Sequence, residues 1–436
     1  MELSAELSAT LVAVHESIVA VTESPSNSSA RRGILPAYVL IRMRACARVT
    51  SHRTRTCYKQ PTATSRGEQA DARRDRAMTG GEPAEPYGED MQPDLLGKSS
   101  LVPQSTYVRE LRPELPAEAF EPARSRLALV PAHLAVIAAA IFAIASGWVP
   151  WPLVPLLSLV IGVSFSCLTF VAHEAIHGGI VRGRTARQIV GWIGFLPFTL
   201  SPRLWAAWHD RVHHASANLA EDPDVYPTLA EYRANGRVRF FIDAFSLGGR
   251  RWRGALSLLV GFSVQSAHQL FAARRRGFLR PRALRLAILE SLAGVAIWAT
   301  VAVIVGLVPF LFVFVLPLLV ANVIVMSFIL TNHSLSPRVE INDPLVSGLS
   351  VTAPRWIEWV TLQFGYHVEH HLFPAMSSRH ARAIRGLLRK LWPGRYQSMP
   401  LRVALRELHR TARVYKDART LIDPRTGREF ATLMPR

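Results

Sequence analysis

The sequence predicts an all-α membrane protein, with four transmembrane helices in two hairpins and a cytoplasmic helical cap. Apolar residues make up 49% of the 436-residue chain although its formal net charge is +19, and the mean hydropathy is positive at +0.16. Strongly apolar segments separated by basic ones explain that combination better than an evenly mixed globule. Four apolar runs are each long enough to cross a bilayer, which takes about 20 residues.

The first 120 residues are predicted to be a disordered, basic, low-complexity region. Segment 28–76 has no sustained apolar period, and segment 79–94 is rich in glycine, proline and acidic residues. The same composition leaves open a start at Met78 or Met91, in which case residues 1–77 would be a translation artefact.

The four apolar runs form two pairs, each joined by a short turn. The turns at 147–152 and 306–309 carry no charge, whereas the loop 179–285 holds many arginines. Basic loops stay on the cytoplasmic side, so both turns are predicted outside, and the long loop and C-terminal region inside. This orientation, with an arginine bias typical of a GC-rich genome, predicts a bacterial cytoplasmic membrane protein. The runs are residues 126–149, 152–172, 286–307 and 309–330.

Two shorter apolar stretches, residues 188–200 and 254–267, are predicted to lie in the membrane interface. A single extra crossing would put the segments before and after it on opposite sides of the membrane. Segments 377–392 and 400–415 read as basic amphipathic helices on the cytoplasmic surface. We therefore attribute the excess positive charge to cytoplasmic loops and to contacts with lipid head groups. Nucleic-acid binding is disfavoured because no basic helix with aromatic stacking residues accompanies the charge.

Histidines recur at the cytoplasmic ends of the predicted spans and in the basic loops. Nine of the 15 histidines in the chain lie there. Pairs four residues apart share one helical face and can present two imidazoles to one ion, as in His173/His177, His209/His213 and His367/His371. Nine imidazoles exceed the shell of one ion and fit two ions with four or five nitrogens each, imidazole being suited to Fe, Zn, Cu and Ni. The nine are His173, His177, His209, His213, His214, His333, His367, His370 and His371.

The first cluster also fits the H-E-x-x-H pattern of zinc peptidases. In that alternative His173 and His177 hold zinc and Glu174 is the general base. It needs one further ligand and leaves the other histidines unexplained.

Five carboxylates lie close to these histidines in sequence and are candidates to accept the second ring N–H of a ligand. Such contacts fix the tautomer and orientation of a metal-bound imidazole. The candidates are Glu174, Asp210, Asp222, Asp224 and Glu369.

Three histidine boxes across two transmembrane hairpins resemble the membrane fatty-acid desaturase superfamily. The boxes have the patterns H-x3-H, H-x3-HH and H-x2-HH, and segments 205–214, 221–227, 331–337 and 369–377 are similar to those of acyl-lipid desaturases. The resemblance covers roughly residues 120–400. It divides the chain into the N-terminal region 1–120, a membrane desaturase domain 121–400 and a cytoplasmic C-terminal tail 401–436.

The resemblance implies a di-iron centre that uses O2 to introduce a double bond into a lipid-linked acyl chain. It assigns all nine histidines as iron ligands, with His333 as the family's extra histidine before the third box. Electrons would come from an external ferredoxin-like or cytochrome-type donor on the basic cytoplasmic face. A relative with the same boxes could instead be a hydroxylase or ketolase acting on acyl chains or carotenoids.

The chain departs from the family pattern in three places. Glu174 stands where aspartate is commoner, His367 stands where front-end desaturases have glutamine, and no His-Pro-Gly-Gly haem segment is present. The second departure argues against a front-end enzyme, and the third against a fused cytochrome domain.

Overall fold

The structure is a computed structural model that describes residues 101–435. The disorder predicted for residues 1–100, and the alternative starts at Met78 and Met91, lie outside the described residues. For residues 101–120 the prediction of disorder is wrong. Helix α1 (Gln104–Leu111) forms there, and its Tyr107 and Leu111 are fully buried in a cluster with Ile384 and Leu388 from a helix near the C-terminus.

The described chain is mainly helical. Two helical segments contain a π-helical stretch, at Ala206–His213 within α5 and at Leu311–Val315 within α10. After α1 the helices are α2 Leu129–Ala145, α3 Val154–His177, α4 Arg184–Phe195, α5 (Pro202–Trp205, Ala206–His213 and His214–Ser216), α6 Leu229–Ala234, α7 Gly236–Phe245, α8 Ala255–Ala272, α9 Pro281–Val305, α10 (Leu307–Phe310, Leu311–Val315 and Leu316–His333), α11 Pro344–Ser347, α12 Arg355–Val360, α13 His367–Leu372, α14 Ala381–Leu391 and α15 Leu401–Arg410.

Within residues 101–435, four strands of three residues each depart from the prediction of an all-α chain. β1 (Ser350–Thr352) pairs in parallel with β2 (Ser398–Pro400), and β3 (Thr420–Ile422) pairs antiparallel with β4 (Glu429–Ala431). Strands this short leave no alternating pattern that a sequence could reveal. β1 matters for the site because the Ser350 side chain bonds the helix that carries the third histidine box.

Five helical segments among the described residues are long and apolar enough to cross a membrane. Four of them overlap the four predicted spans, although their ends differ. The additional one holds the stretch 254–267, which the sequence predicts to lie in the interface. Stretch 188–200 forms α4 and a short turn instead, and falls below membrane length. The five are Ala117–Ala145, Trp151–His177, Trp252–Ala272, Pro281–Val305 and Leu307–His333.

Helix α3 is the centre of the fold, packing against α2, α4 and α10. Its C-terminal half is almost entirely buried, and it is followed by Gly178, whose φ of +95° favours glycine. The α3–α4 contact is close: a Cβ at Gly194 would lie 2.3 Å from the Leu168 carbonyl oxygen. A glycine is therefore needed at this crossing.

The predicted C-terminal tail is packed against the body of the protein. Helix α15 contacts α10, and Leu408, Tyr415 and Leu421 are buried. Arg413 donates to the Ser334 carbonyl, one residue after the end of α10. The tail thus holds the chain that follows His333, so the predicted boundary at residue 400 does not separate a free segment.

Candidate metal centre

The C-terminal ends of two central helices bring the first histidine box and His333 to the same region. Helices α3 and α10 pack side by side, and α3 ends at His177 as α10 ends at His333. Helices α5 and α13 add the second and third boxes. All nine predicted histidines therefore meet in one region, although 198 residues of sequence separate His173 from His371.

The nine histidines form two groups, and each group has one nitrogen per residue within 4.8 Å of the others. The groups adjoin, since the His214 and His371 rings stack with centroids 4.2 Å apart. One group has five members, His173, His177, His209, His214 and His370, and the other has four, His213, His333, His367 and His371.

Within each group the Nε2 atoms point at one another. In the five-histidine group, His209 Nε2 lies 3.2 Å from His173 Nε2 and 3.3 Å from His214 Nε2. In the four-histidine group, His333 Nε2 lies 2.6 Å from His367 Nε2 and 3.1 Å from His371 Nε2. Nitrogens about 2.1 Å from one ion lie about 3.0–3.4 Å apart. Three of the four separations lie in this range, so the converging lone pairs suit a cation in each group, while His333 and His367 must separate slightly to share one.

His209 and His213 are predicted to present two imidazoles to one ion. Together with Asp224 they do form a small group whose nitrogen and oxygen atoms lie within 4.8 Å of one another. In the two larger groups, however, His209 lies with the five histidines and His213 with the four. The two rings lie almost parallel with centroids 5.0 Å apart. The π-helical stretch changes the angle between successive side chains, and Asp222 holds His213 from the other side. The second box therefore bridges the two groups.

The second ring nitrogens of four histidines face polar partners. His213 Nδ1 lies 2.9 Å from Asp222 and His177 Nδ1 lies 2.9 Å from Asp210. His333 Nδ1 lies 2.8 Å from the Ser347 carbonyl oxygen. These contacts leave Nε2 free to bind a metal. Asp222 and Asp210 thus occupy the positions predicted for carboxylates that orient ligands.

Asn332 supplies the fourth of these partners. Its Nδ2 lies 2.9 Å from His367 Nδ1, and its Oδ1 has no partner. A His367 bound through Nε2 carries its proton on Nδ1, and a half-turn of the amide would bring Oδ1 to accept that proton. No feature of the sequence singles out Asn332 beyond its place beside His333.

Asp224 lies farther from His213 than Asp222 does. Its carboxylate accepts from Trp208 Nε1 and from Gln265 Nε2, and it stands 3.7 Å from His213 Nδ1. A carboxylate oxygen of Asp224 also lies within 4.8 Å of a nitrogen of His209 and of His213, so Asp224 adjoins both histidine groups.

Glu174 and Glu369 differ from the predicted role, because their carboxylates contact other groups. Glu174 accepts from Arg126, from Ser377 Oγ at 2.6 Å and from Ser378 Oγ at 3.1 Å. Glu369 accepts from Ser350 and from Tyr396, both at 2.5 Å. Both carboxylates fasten elements that carry histidines to neighbouring segments.

The contacts of Glu174 also weigh against the zinc-peptidase alternative. A general base needs a carboxylate oxygen free to reach a water at the metal. Both oxygens of Glu174 are engaged by Arg126 and the two serines. No feature of the sequence singled out Arg126, which lies 48 positions before Glu174.

Burial sets the protonation of the imidazoles. It lowers the pKa of five of them well below the usual value, so they are neutral and present lone pairs, as metal binding requires. His213 is the exception: burial lowers its pKa, but Asp222 and then Asp224 raise it to about 9. A metal bound to His213 would therefore displace a proton. The five are His209, His214, His367, His370 and His371.

A cavity of about 310 Å³ reaches the histidines from one side. Its floor includes histidines of both groups, and its walls are mainly apolar. One face of α8 follows it, since Ser257, Gly261, Gln265 and Gln269 recur every four residues, a length of about 18 Å. A cavity of this shape suits a long apolar chain. The floor histidines are His209, His213, His333 and His367.

Comparison with known proteins agrees with this geometry. A family model described as fatty acid desaturase matches residues 146–402, more than half of the chain. The sn-1 oleoyl-lipid 12-desaturase of Synechocystis sp. is 25% identical over 293 residues, covering 64% of this chain and 80% of that protein. The chloroplastic omega-6 fatty acid desaturase of Spinacia oleracea is 24% identical, covering 69% of this chain and 67% of the relative.

The name of a third relative includes an electron donor. The sn-1 acyl-lipid omega-3 desaturase (ferredoxin) of Synechocystis sp. is 30% identical over 130 residues, covering 29% of this chain and 35% of the relative. The predicted resemblance is confirmed: the chain belongs to the fatty acid desaturase family and is a membrane oxidoreductase.

Proposed function

We propose that this protein is an oxygen-dependent di-iron desaturase that introduces a double bond into an acyl chain of a membrane lipid. The observation that carries the proposal is the cavity, which combines apolar walls with a floor of histidines from both groups. Relatives named as acyl-lipid desaturases support the same substrate class.

The reaction removes two hydrogens from adjacent methylene groups of the acyl chain. With O2, two electrons and two protons it yields one double bond and two waters. Iron held by the two histidine groups would supply the oxygen chemistry that an unactivated C–H bond requires. The protein's own groups orient the imidazoles, through Asp222, Asp210 and Asn332, and hold the acyl chain against them.

Two irons per chain follow from the division of the histidines. Five nitrogens in one group and four in the other each provide a shell for one ion, and imidazole is a common iron ligand. The proximity of the groups supports a site in which both ions act on one substrate.

The path of the chain supports four membrane crossings rather than five. Helix α3 ends at His177 and α10 ends at His333, both in the histidine region, and α9 and α10 form a hairpin. The chain from His177 to Pro281 would therefore start and end on one side of the membrane, which argues against α8 as a lone crossing. Arginines flank both ends of α8, at 250–253 and at 274–276. Positive charge at both ends favours a helix on the cytoplasmic face, where the site would lie.

The electron donor is proposed to be a ferredoxin-like or cytochrome-type protein. The relative that is named for ferredoxin supports the first of these. The exposed arginines of α14 and α15 give the cytoplasmic side a positive surface that would attract an acidic donor.

Expression in a bacterial host that makes no polyunsaturated fatty acids, together with ferredoxin and its reductase, tests the function. We expect new unsaturated fatty acids, with the position of the double bond located by mass spectrometry, and none in the host alone. Hydroxylated or keto products in place of unsaturated ones would contradict desaturation and indicate the hydroxylase or ketolase alternative.

Replacing Gly261 with leucine is expected to obstruct the cavity. A Cβ at Gly261 would already lie 2.9 Å from the Met326 Cε, and a leucine would extend into the space for the acyl chain. We expect kcat/KM for desaturation to fall at least about ten-fold, because overfilling a fitted apolar site costs about 1–3 kcal/mol. Iron content should not change. The control is Ala267→Leu, an exposed position of the same helix; equal losses in both variants would contradict the assignment of the cavity.

A further inference from the structure

The cavity opens at one identifiable place. Of the side chains that line it, those of Phe241 in α7 and His268 in α8 are exposed to solvent, whereas the floor histidines are buried or nearly so. The rings of Phe241 and His268 contact each other with centroids 6.1 Å apart. The mouth of the cavity therefore lies between α7 and the C-terminal half of α8.

A row of arginines stands beside this mouth. Arg274, Arg275 and Arg276 follow the end of α8 and are exposed. Arg276 donates to the side-chain oxygen of Gln269, a buried residue of the cavity wall, at 3.3 Å. The charges of Arg275 and Arg276 also act on the His268 imidazole. Two cationic side chains thus adjoin the entrance.

These arginines lack acidic partners. No Asp or Glu among residues 101–435 forms an ion pair with Arg274, Arg275 or Arg276. The surface around the mouth therefore carries net positive charge that an external anion could neutralise.

Aromatic side chains around the same mouth face outward. Phe240 is 60% exposed and Phe271 is 80% exposed. Phenylalanines at such exposure, close to the exposed arginines Arg237 and Arg239 of α7, are typical of a surface that enters the boundary between head groups and acyl chains. A lipid in the bilayer could thus reach the mouth sideways, with its head group at the level of the arginines.

We infer that the mouth binds the phosphate of an anionic phospholipid, through Arg275 and Arg276, while an acyl chain of the same lipid occupies the cavity. This inference rests on the proposed function and names its substrate class. Arginine suits a phosphate because its planar guanidinium donates two parallel hydrogen bonds to an oxyanion. A neutral sugar head group would leave both charges without a partner.

The test is a competition between two lipids with identical oleoyl chains in the same nanodisc, phosphatidylglycerol and neutral digalactosyldiacylglycerol. We expect the wild-type protein to convert phosphatidylglycerol with the higher kcat/KM. The double variant R275Q/R276Q should lose this preference by roughly five-fold for each arginine removed, the contribution of one basic side chain at an anionic lipid surface. The double variant R109Q/R184Q removes two exposed arginines elsewhere and should keep the preference.

Native mass spectrometry of iron-free protein gives a readout that does not depend on activity. Preferential retention of phosphatidylglycerol by the wild type and its loss in R275Q/R276Q would support the head-group site. Equal retention of both lipids, or an unchanged preference in R275Q/R276Q, would overturn it. If neither lipid is converted by iron-loaded protein while phosphatidylglycerol is still retained selectively, the proposed function fails and the head-group site stands.

Discussion

Replacing His367 with alanine is expected to abolish double-bond formation and to lower bound iron from about two ions per chain to about one. His367 belongs to the group with four nitrogens, so its loss leaves three. It also lines the floor of the cavity, where the acyl chain would meet the metal centre. Iron measured by mass spectrometry on purified protein, with fatty-acid products from the same preparation, checks both effects.

Two further variants test whether the loss of iron depends on which histidine group is altered. His173→Ala leaves four nitrogens in its group, so we expect a smaller loss of iron than in His367→Ala. His409→Ala removes an exposed histidine of α15 and should keep both iron and activity. Two irons retained in an inactive His367→Ala protein would contradict the ligand role of His367.

Replacing Glu174 with alanine is expected to destabilise the protein by about 3–5 kcal/mol, because it leaves Arg126 without its carboxylate at a largely buried site. The side chains of Arg126 and Glu174 are 14% and 7% exposed. Arg126 also bonds Gln363 at 2.6 Å and Ser378 at 2.7 Å. The pair therefore joins the end of α3 to the segment before α2 and to the chain after the third box.

Denaturant titration in detergent measures this loss of unfolding free energy. The matched control is Glu429→Ala, which breaks the exposed ion pair with Lys416 and should cost less than about 1 kcal/mol. Glu174→Asp, which keeps the charge, should recover part of the stability and of the iron content. A Glu174→Ala protein as stable as Glu429→Ala would contradict the role assigned to the Arg126–Glu174 pair.

The sequence was sufficient to predict that these nine histidines come together, but not how they divide between the two groups. Spacing on a helix and the positions of the span ends brought the nine histidines to one side. Which of them share a group depends on the π-helical stretch of α5 and on Asp222, and neither appears in a periodic pattern. This is why His209 and His213 fall in different groups although they are four residues apart.

Residues 101–126 show a second limit of prediction from the sequence. Tyr107 and Leu111 bury their side chains in a cluster with residues between Leu345 and Tyr396, more than 230 positions later in the chain. A stretch with so few apolar residues of its own reads as disordered from composition. The contact of Arg126 with Glu174 is likewise invisible until the chain is folded, and so is the mouth between α7 and α8.

The metal content of the wild-type protein, purified from cells with normal iron and zinc supply, tests the central claim most directly. Two groups of five and four histidines predict about two metal ions per chain, and the proposed di-iron chemistry predicts that these are iron with little zinc. One zinc per chain, with no iron, would contradict the di-iron centre and return His173, Glu174 and His177 to the zinc-peptidase interpretation.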